Sequence, residues 1–317
     1  MRASIITGLL AVLAVSGCFD PADRFRSAIP SQDAVAVKMP DGSSGGGAGS
    51  ASAALAKGET ALLYTVSYDV SRVLNGGVFL LLGIVAETVE RPPTTVTETV
   101  ATWGPYTPAL SPVTYRLDVT ATAENTYTWV VSGRPRTSTN DNDYVGLLAG
   151  NTEVLGEGLI RGDMTLDRSA IAALDVNSPG AGAAVATYDT IAEPRVVEVA
   201  LDGYAEGIAA PVSALYRYSE MKDTSGTFEL AAQADTDDAG SLPETLVVTS
   251  RWIASGSGRG DAVVTGGDLG DGTAVEMSEC WDDGFGRTYY TDSANMAPTV
   301  GSVDVCAFAE PLFSEAN

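Results

Sequence analysis

The chain of 317 residues contains no histidine. That absence removes the commonest general base, the Ser-His-Asp and Cys-His nucleophile arrangements and the histidine-based zinc motifs. Lysine is nearly missing too: Lys38, Lys57 and Lys222 are the whole set, and only Lys222 has a serine three residues before it, at Ser219. An enzyme built on this chain would have to run on carboxylates, serine, tyrosine or one of those lysines. Lys and Arg number 18 against 41 Asp and Glu, and the formal charge of −23 repels nucleic acid and anionic lipid headgroups. Acids are so numerous that no pair stands out for glycoside hydrolysis, so no catalytic residue is assigned. The composition reads as a non-enzymatic protein with no nucleic acid partner.

Long apolar runs are also missing. The longest, Ile5 to Val15, is shorter than the roughly 20 residues that cross a bilayer. Arg2 precedes it and Ser16-Gly17 follow it, the layout of a secretory signal peptide. Val15-Ser16-Gly17-Cys18 resembles the lipobox of bacterial lipoproteins. The resemblance implies removal of residues 1–17, diacylation of the Cys18 sulfur and acylation of its new amino group. Each buried methylene contributes about 0.8 kcal/mol, and two or more chains on one residue hold a protein stably to a membrane. In Gram-negative lipoproteins an aspartate directly after the cysteine retains the protein at the inner membrane; here Phe19 takes that place, which points to the outer membrane.

Cysteine is scarce, and once Cys18 carries lipid only Cys280 and Cys306 remain. An exported chain would oxidise them to a disulfide, closing a loop of about 25 residues and contributing roughly 3 to 4 kcal/mol. The rival zinc site would need two further ligands from a chain without histidine.

Residues 18–58 read as a tether. They carry scattered charge and proline, then the run Asp41-Gly42-Ser43-Ser44-Gly45-Gly46-Gly47-Ala48-Gly49-Ser50, with a typical reach of roughly 35 Å. One β-rich domain is expected over 59–317. It opens with a helix over 59–91, because Leu62, Val66, Val70, Val73, Leu74, Val78, Leu81, Val85 and Val89 recur at three-and-four spacing before Pro92-Pro93. Gly76-Gly77 is a candidate kink or break, and Val78 to Val85 is apolar nearly all round, which predicts burial.

After Trp103-Gly104-Pro105-Tyr106 the period becomes two. Val113, Tyr115, Leu117 and Val119 alternate with polar residues and pair back through Tyr127, Trp129 and Val131 across a turn at Ala123 to Asn125. Nine further runs follow between Leu159 and Thr291, interrupted by one short helix over Ser169 to Leu174 capped near Asp167. About ten antiparallel strands in a meander, with one long apolar helix, predict a mainly β (α+β) fold. Its form would be a large curved antiparallel sheet, or open half-barrel, around one long N-terminal helix.

Few stretches suggest chemistry. Asp235-Thr236-Asp237-Asp238-Ala239-Gly240 starts like a calcium loop but has Leu246 where the final ligand should stand. Asp235 and Asp237 are therefore the calcium candidates in a chain otherwise read as free of cofactors. Asn140 to Asp143 and Asp268 to Asp271 are read the same way. Arg-Gly-Asp occurs at Arg161 and at Arg259, each running into a strand. Glycine clusters at Gly156 and Gly256 do not lead from strand to helix, as a phosphate loop must. Trp281, Tyr289 and Tyr290, close to Cys280, are candidates for an aromatic binding surface, against the plainer reading of a disulfide packed on a tryptophan. With Trp103 to Tyr106, that cluster resembles lipoproteins predicted in large-genome Gram-negative bacteria of the myxobacterial type, a resemblance that brings no known activity.

These readings lead to an envelope-anchored binding or structural module whose partner is an unidentified envelope protein or an apolar ligand. The alternative is a carrier or receptor for lipid, since half-barrel lipoprotein carriers look similar in setting helices over a curved sheet. A carboxylate-based hydrolase is the third alternative.

Overall fold

The computed structural model describes residues 20–41, 57–234, 241–270 and 272–314. Residues 1–17, Cys18, the glycine-serine run after Asp41 and the calcium candidates Asp235 and Asp237 lie outside them. Strands β1 (Thr95–Val96), β2 (Val100–Tyr106), β3 (Val113–Ala123), β4 (Thr126–Pro135), β5 (Val145–Gly156), β6 (Leu159–Asp167) and β7 (Gly180–Asp189) form the first half of a single sheet. Strands β8 (Arg195–Glu206), β9 (Val212–Glu220), β10 (Gly226–Ala234), β11 (Glu244–Trp252), β12 (Gly258–Thr265), β13 (Ala274–Trp281) and β14 (Arg287–Asp292) complete it. Each strand pairs antiparallel with its neighbours in sequence, so the sheet is an open meander with β1 and β14 at its edges. The eleven runs read from the sequence become fourteen strands, since β1, β2 and β5 were not visible as alternating runs.

Register explains why the sheet has two chemically distinct faces. Ala101, Val119, Trp129, Gly150, Met164, Ala186, Val199, Tyr216, Leu230, Val248, Ala262 and Met277 are successive partners from β2 to β13. Their chain neighbours Thr120, Thr128, Asn151, Asp163, Thr187, Glu198, Arg217, Glu229, Thr249, Asp261 and Ser278 form an all-polar row on the other face. Since alternate side chains point to opposite faces, one face is apolar and inner, the other polar and outer. Three tryptophans each lie over a glycine in register on the next strand: Trp129 over Gly150, Trp252 over Gly226 and Trp281 over Gly258. A Cβ on Gly258 would sit 2.4 Å from the Trp281 ring, so only glycine admits the indole there.

Helix α3 (Leu62–Glu90) lies on the inner face and runs unbroken through Gly76-Gly77, the candidate kink or break. Leu63, Tyr64, Leu82, Val85 and Val89 are buried in the core with the inner row; the side chains of 77–81 and 84 lie outside the described set. At about 1.5 Å per residue the helix is roughly 43 Å long. Its first half packs on β10 to β13, where Ser67 Oγ lies 2.8 Å from Ser250 Oγ and a Cβ on Gly260 would be 2.6 Å from that of Leu63. At its far end Trp103 Nε1 on β2 donates to the carbonyl of Arg91 (2.9 Å).

The start of α3 has neither an acidic first turn nor a side-chain cap from Ala61. Glu279, from β13, supplies the missing acceptor: its Oε2 takes the Leu63 N–H at 2.6 Å while Oε1 is held by Arg287. A carboxylate there satisfies orphan amides and meets the positive end of the helix dipole. Both charged side chains are fully buried, and desolvation pushes the Glu279 carboxyl above the ordinary range despite Arg287 and the amides of Leu62 and Leu63.

The stretch expected as a tether is partly structural. Residues 20–41, with short helices α1 (Asp23–Arg26) and α2 (Gln32–Val35), form an inner strap whose Ala22, Phe25, Val35, Val37 and Met39 are buried in the core. The strap runs antiparallel to α3. Arg26 Nε reaches the Val89 carbonyl, Asn75 bonds both the N–H and the carbonyl of Val37, and Tyr64 donates to the Pro40 carbonyl. Arg195 and Tyr218 tie it to β8 and β9 through the carbonyls of Asp33, Ala34, Ala36 and Lys38. The short helix over 168–174 is present as α4 (Arg168–Leu174), with Asp167 Oδ1 accepting the Ala170 N–H at 2.8 Å.

After β14 the described residues form an outer strap. Cys280 and Cys306 form the expected disulfide, with Cα atoms 5.5 Å apart. Beyond it Arg259 donates to the carbonyls of Phe308 and Ala309, Asp261 accepts the Leu312 N–H, and Ser314 bonds Glu229 and Thr249. The second Arg-Gly-Asp is thus a buried clamp, Arg259 Nε to Asp261 Oδ1 at 2.8 Å, and the first lies within β6.

Candidate functional site

Between the middle of α3 and strands β5 to β9 the described residues leave the inner face unfilled. Two registered rows floor the gap: Leu148, Leu166, Ala184 and Leu201, and beside them Met164, Ala186, Val199 and Tyr216. Val70, Val73, Leu74 and Leu82 of α3 roof it. Ala184 and Ala186 are the physical reason for the space, because they stand where longer side chains would reach the helix. The cavity holds about 390 Å³, within the range of about 300 to 1,000 Å³ typical of small-molecule sites. It opens to solvent at Val73, which is 76% exposed, and at Val212, near the β8–β9 loop tip where Ile208 is fully exposed.

Among the described residues the walls are almost wholly apolar, with three polar exceptions. Asp69, on the exposed side of α3, is the charged residue of the lining among the described residues. Tyr204 donates to Glu206 Oε1 at 3.0 Å, and Arg168 Nε holds the other Glu206 oxygen at 2.9 Å, which fixes that wall. Burial together with Glu206 pushes the Tyr204 hydroxyl up to about 12. Tyr216 is half-buried, its hydroxyl also raised by burial, and it has no hydrogen-bond partner among the described residues. A polar depression of about 330 Å³ on the outer face is lined by Asp118, Asn151 and Asp163, the last two already bonded to each other at 3.1 Å.

The structure separates the residues singled out from the sequence. Trp281 and Tyr290 are each 2% exposed, so the expected aromatic surface is corrected to core: Trp281 packs against Tyr64 and donates to the Gly256 carbonyl at 2.9 Å. Only Tyr289 is partly exposed. Strand parity carried the warning, since Trp281 falls on the same face as Met277 and Glu279. Asn140 to Asp143 forms a turn pinned by Asn140 and by the Arg134–Asp141 pair, and no group of metal-ligating side chains occurs among the described residues. Glu279, the carboxyl raised by burial, lies at the start of α3 and outside the cavity lining. The cavity residues were missed because spacing reveals a strand's apolar face but not which strands lie opposite a gap.

Among the described residues no helix is long and apolar enough to cross a membrane. Comparison with family models, curated proteins and solved structures finds nothing that matches this chain.

Proposed function

We propose that this protein is a non-enzymatic binding module of the cell envelope that carries or receives an apolar ligand, held to the membrane through lipid on Cys18. The observation that carries the reading is the apolar cavity between α3 and β5 to β9, open at Val73 and Val212. A protein that needed only to be stable would fill such a space, because an unfilled apolar volume forfeits contact energy on every wall. The titratable groups favour binding over catalysis. The carboxyl raised by burial serves the helix start, and among the described residues of the lining there is no serine, cysteine or lysine to set beside a base. Attachment is supported by Val15-Ser16-Gly17-Cys18.

Two measurements test it. Native mass spectrometry and solvent extraction of the full chain, purified from membranes in mild detergent, should recover an apolar molecule from the wild type and none from Ala186→Trp. A wild-type protein that is empty and takes up no fluorescent apolar dye would end the ligand reading. Separately, Cys18→Ser should leave the membrane fraction, and persistence there would end the anchor.

A further inference from the structure

We propose that the cavity selects an apolar chain whose polar end is uncharged and oxygen-bearing, such as an ester or alcohol, and discriminates against carboxylates. The inference rests on the cavity being a ligand site. Asp69 and Tyr216 carry it.

Asp69 is the single charged residue among the described residues of the lining, and no arginine or lysine joins it there. Arg72, one turn further along α3, lies 5.9 Å over the Tyr68 ring, and Asp69 forms no ion pair among the described residues. A carboxylate head at the opening therefore meets a like charge without a counter-charge, in a chain of formal charge −23. A long apolar chain ending in a carboxylate would gain burial from its tail and lose affinity at its head.

Tyr216 supplies the attractive element. A phenol is protonated at neutral pH, burial raises this one further, and its hydroxyl has no partner among the described residues. Tyr204, the other phenol of the wall, already donates to Glu206. Tyr216 is thus the donor in the wall left for a ligand oxygen, and an uncharged carbonyl or hydroxyl accepts that bond without approaching Asp69 as an anion. Repulsion of the wrong head and one hydrogen bond to the right one together make a specificity device in an otherwise non-directional pocket.

The test uses the full chain in mild detergent and displacement of the dye N-phenylnaphthylamine by probes with matched twelve-carbon tails: dodecane, monolauroylglycerol, laurate and dodecyltrimethylammonium, at a mildly alkaline pH that ionises laurate. Monolauroylglycerol should bind about tenfold more tightly than laurate. Asp69→Asn should bring laurate to within about twofold of the ester. Tyr216→Phe should weaken the ester about fivefold and leave dodecane unchanged. Laurate binding as tightly as the ester, or dodecyltrimethylammonium binding more tightly, would overturn the selectivity while dodecane displacement upholds the cavity. Failure of every probe, dodecane included, would remove the ligand site itself. Equal urea midpoints for wild type and both variants show that folding is not what changed.

Discussion

The two halves of the sheet are treated oppositely by the rest of the chain. Strands β10 to β13 are covered twice: α3 sits close on the inner face through Ser67, Ser250 and Gly260, and the outer strap crosses the other face through Arg259, Asp261 and the disulfide. Strands β5 to β9 have a cavity on the inner face, and on the outer face Val185 and Thr187 are exposed. The same cross-strand row runs through both halves, so local sequence type is not what differs. One half is held by what lies above and below it, which leaves the other free to keep an unfilled space.

The largest test of that contrast is at the helix anchor. Arg287→Ala should cost about 3 to 5 kcal/mol in urea unfolding, because it leaves Glu279 buried without its counter-charge. A loss below about 1 kcal/mol would mean that the densely packed half does not carry the stability assigned to it. Next, reducing Cys280–Cys306 should remove roughly 3 to 4 kcal/mol and raise proteolysis of residues 301–314 before that of β5 to β9.

A matched pair of substitutions within one row sharpens the comparison further. Ala262→Leu, beneath the close approach of α3, should cost about 1 to 3 kcal/mol through overpacking. Ala186→Leu, three strands nearer the centre of the cavity floor than Leu230, should change stability by less than about 1 kcal/mol and reduce dye uptake. Equal penalties at the two alanines would mean that the cavity closes in solution. The last test is in alkali. The Tyr188, Tyr204 and Tyr290 hydroxyls are raised from 10 to about 12 with burial as the leading cause. The folded state therefore keeps protons that the unfolded chain releases, and their contribution is present below pH 10 and lost as pH rises towards about 12. Phenolate absorbance should rise in two stages in the native protein and in one when unfolded. Bound ligand should delay Tyr204, in the cavity wall, and leave Tyr290 unaltered.

Much of this architecture was legible in residue spacing. The three-and-four rhythm from Leu62 to Val89 located α3 to within a few residues, and period-two runs with short turns gave the meander. β5 escaped because Gly146, Gly150 and Asn151 interrupt its alternation; Gly150 belongs there only because Trp129 on β4 covers it. The inner strap escaped for a different reason. Its prolines and scattered charges have no period, and its order comes from carbonyls taken by distant Arg195, Tyr218 and Tyr64. Trp281 and Tyr290 stood open to two readings, surface or core, because dense aromatics beside a cysteine look alike in sequence whether they face solvent or core. The cavity was the least legible feature, since it depends on Ala184 and Ala186 standing beneath a helix more than a hundred residues earlier in the chain.

The cap on α3 carries a consequence for the order of assembly. The helix precedes the sheet in the chain, and the carboxylate that receives its Leu63 amide arrives 216 residues later. Hairpins from β2 onward can pair as they emerge, each with a neighbour already made, whereas the start of α3 has to wait for the thirteenth strand. Until then the apolar face of the helix has no finished seat at that end, and a chain truncated before Glu279 would hold a nearly complete sheet beneath an unfastened helix. A strand made 216 residues later is thus what locks the start of α3, and a protein shortened before Glu279 should expose this as dye binding and protease sensitivity around residues 62–74.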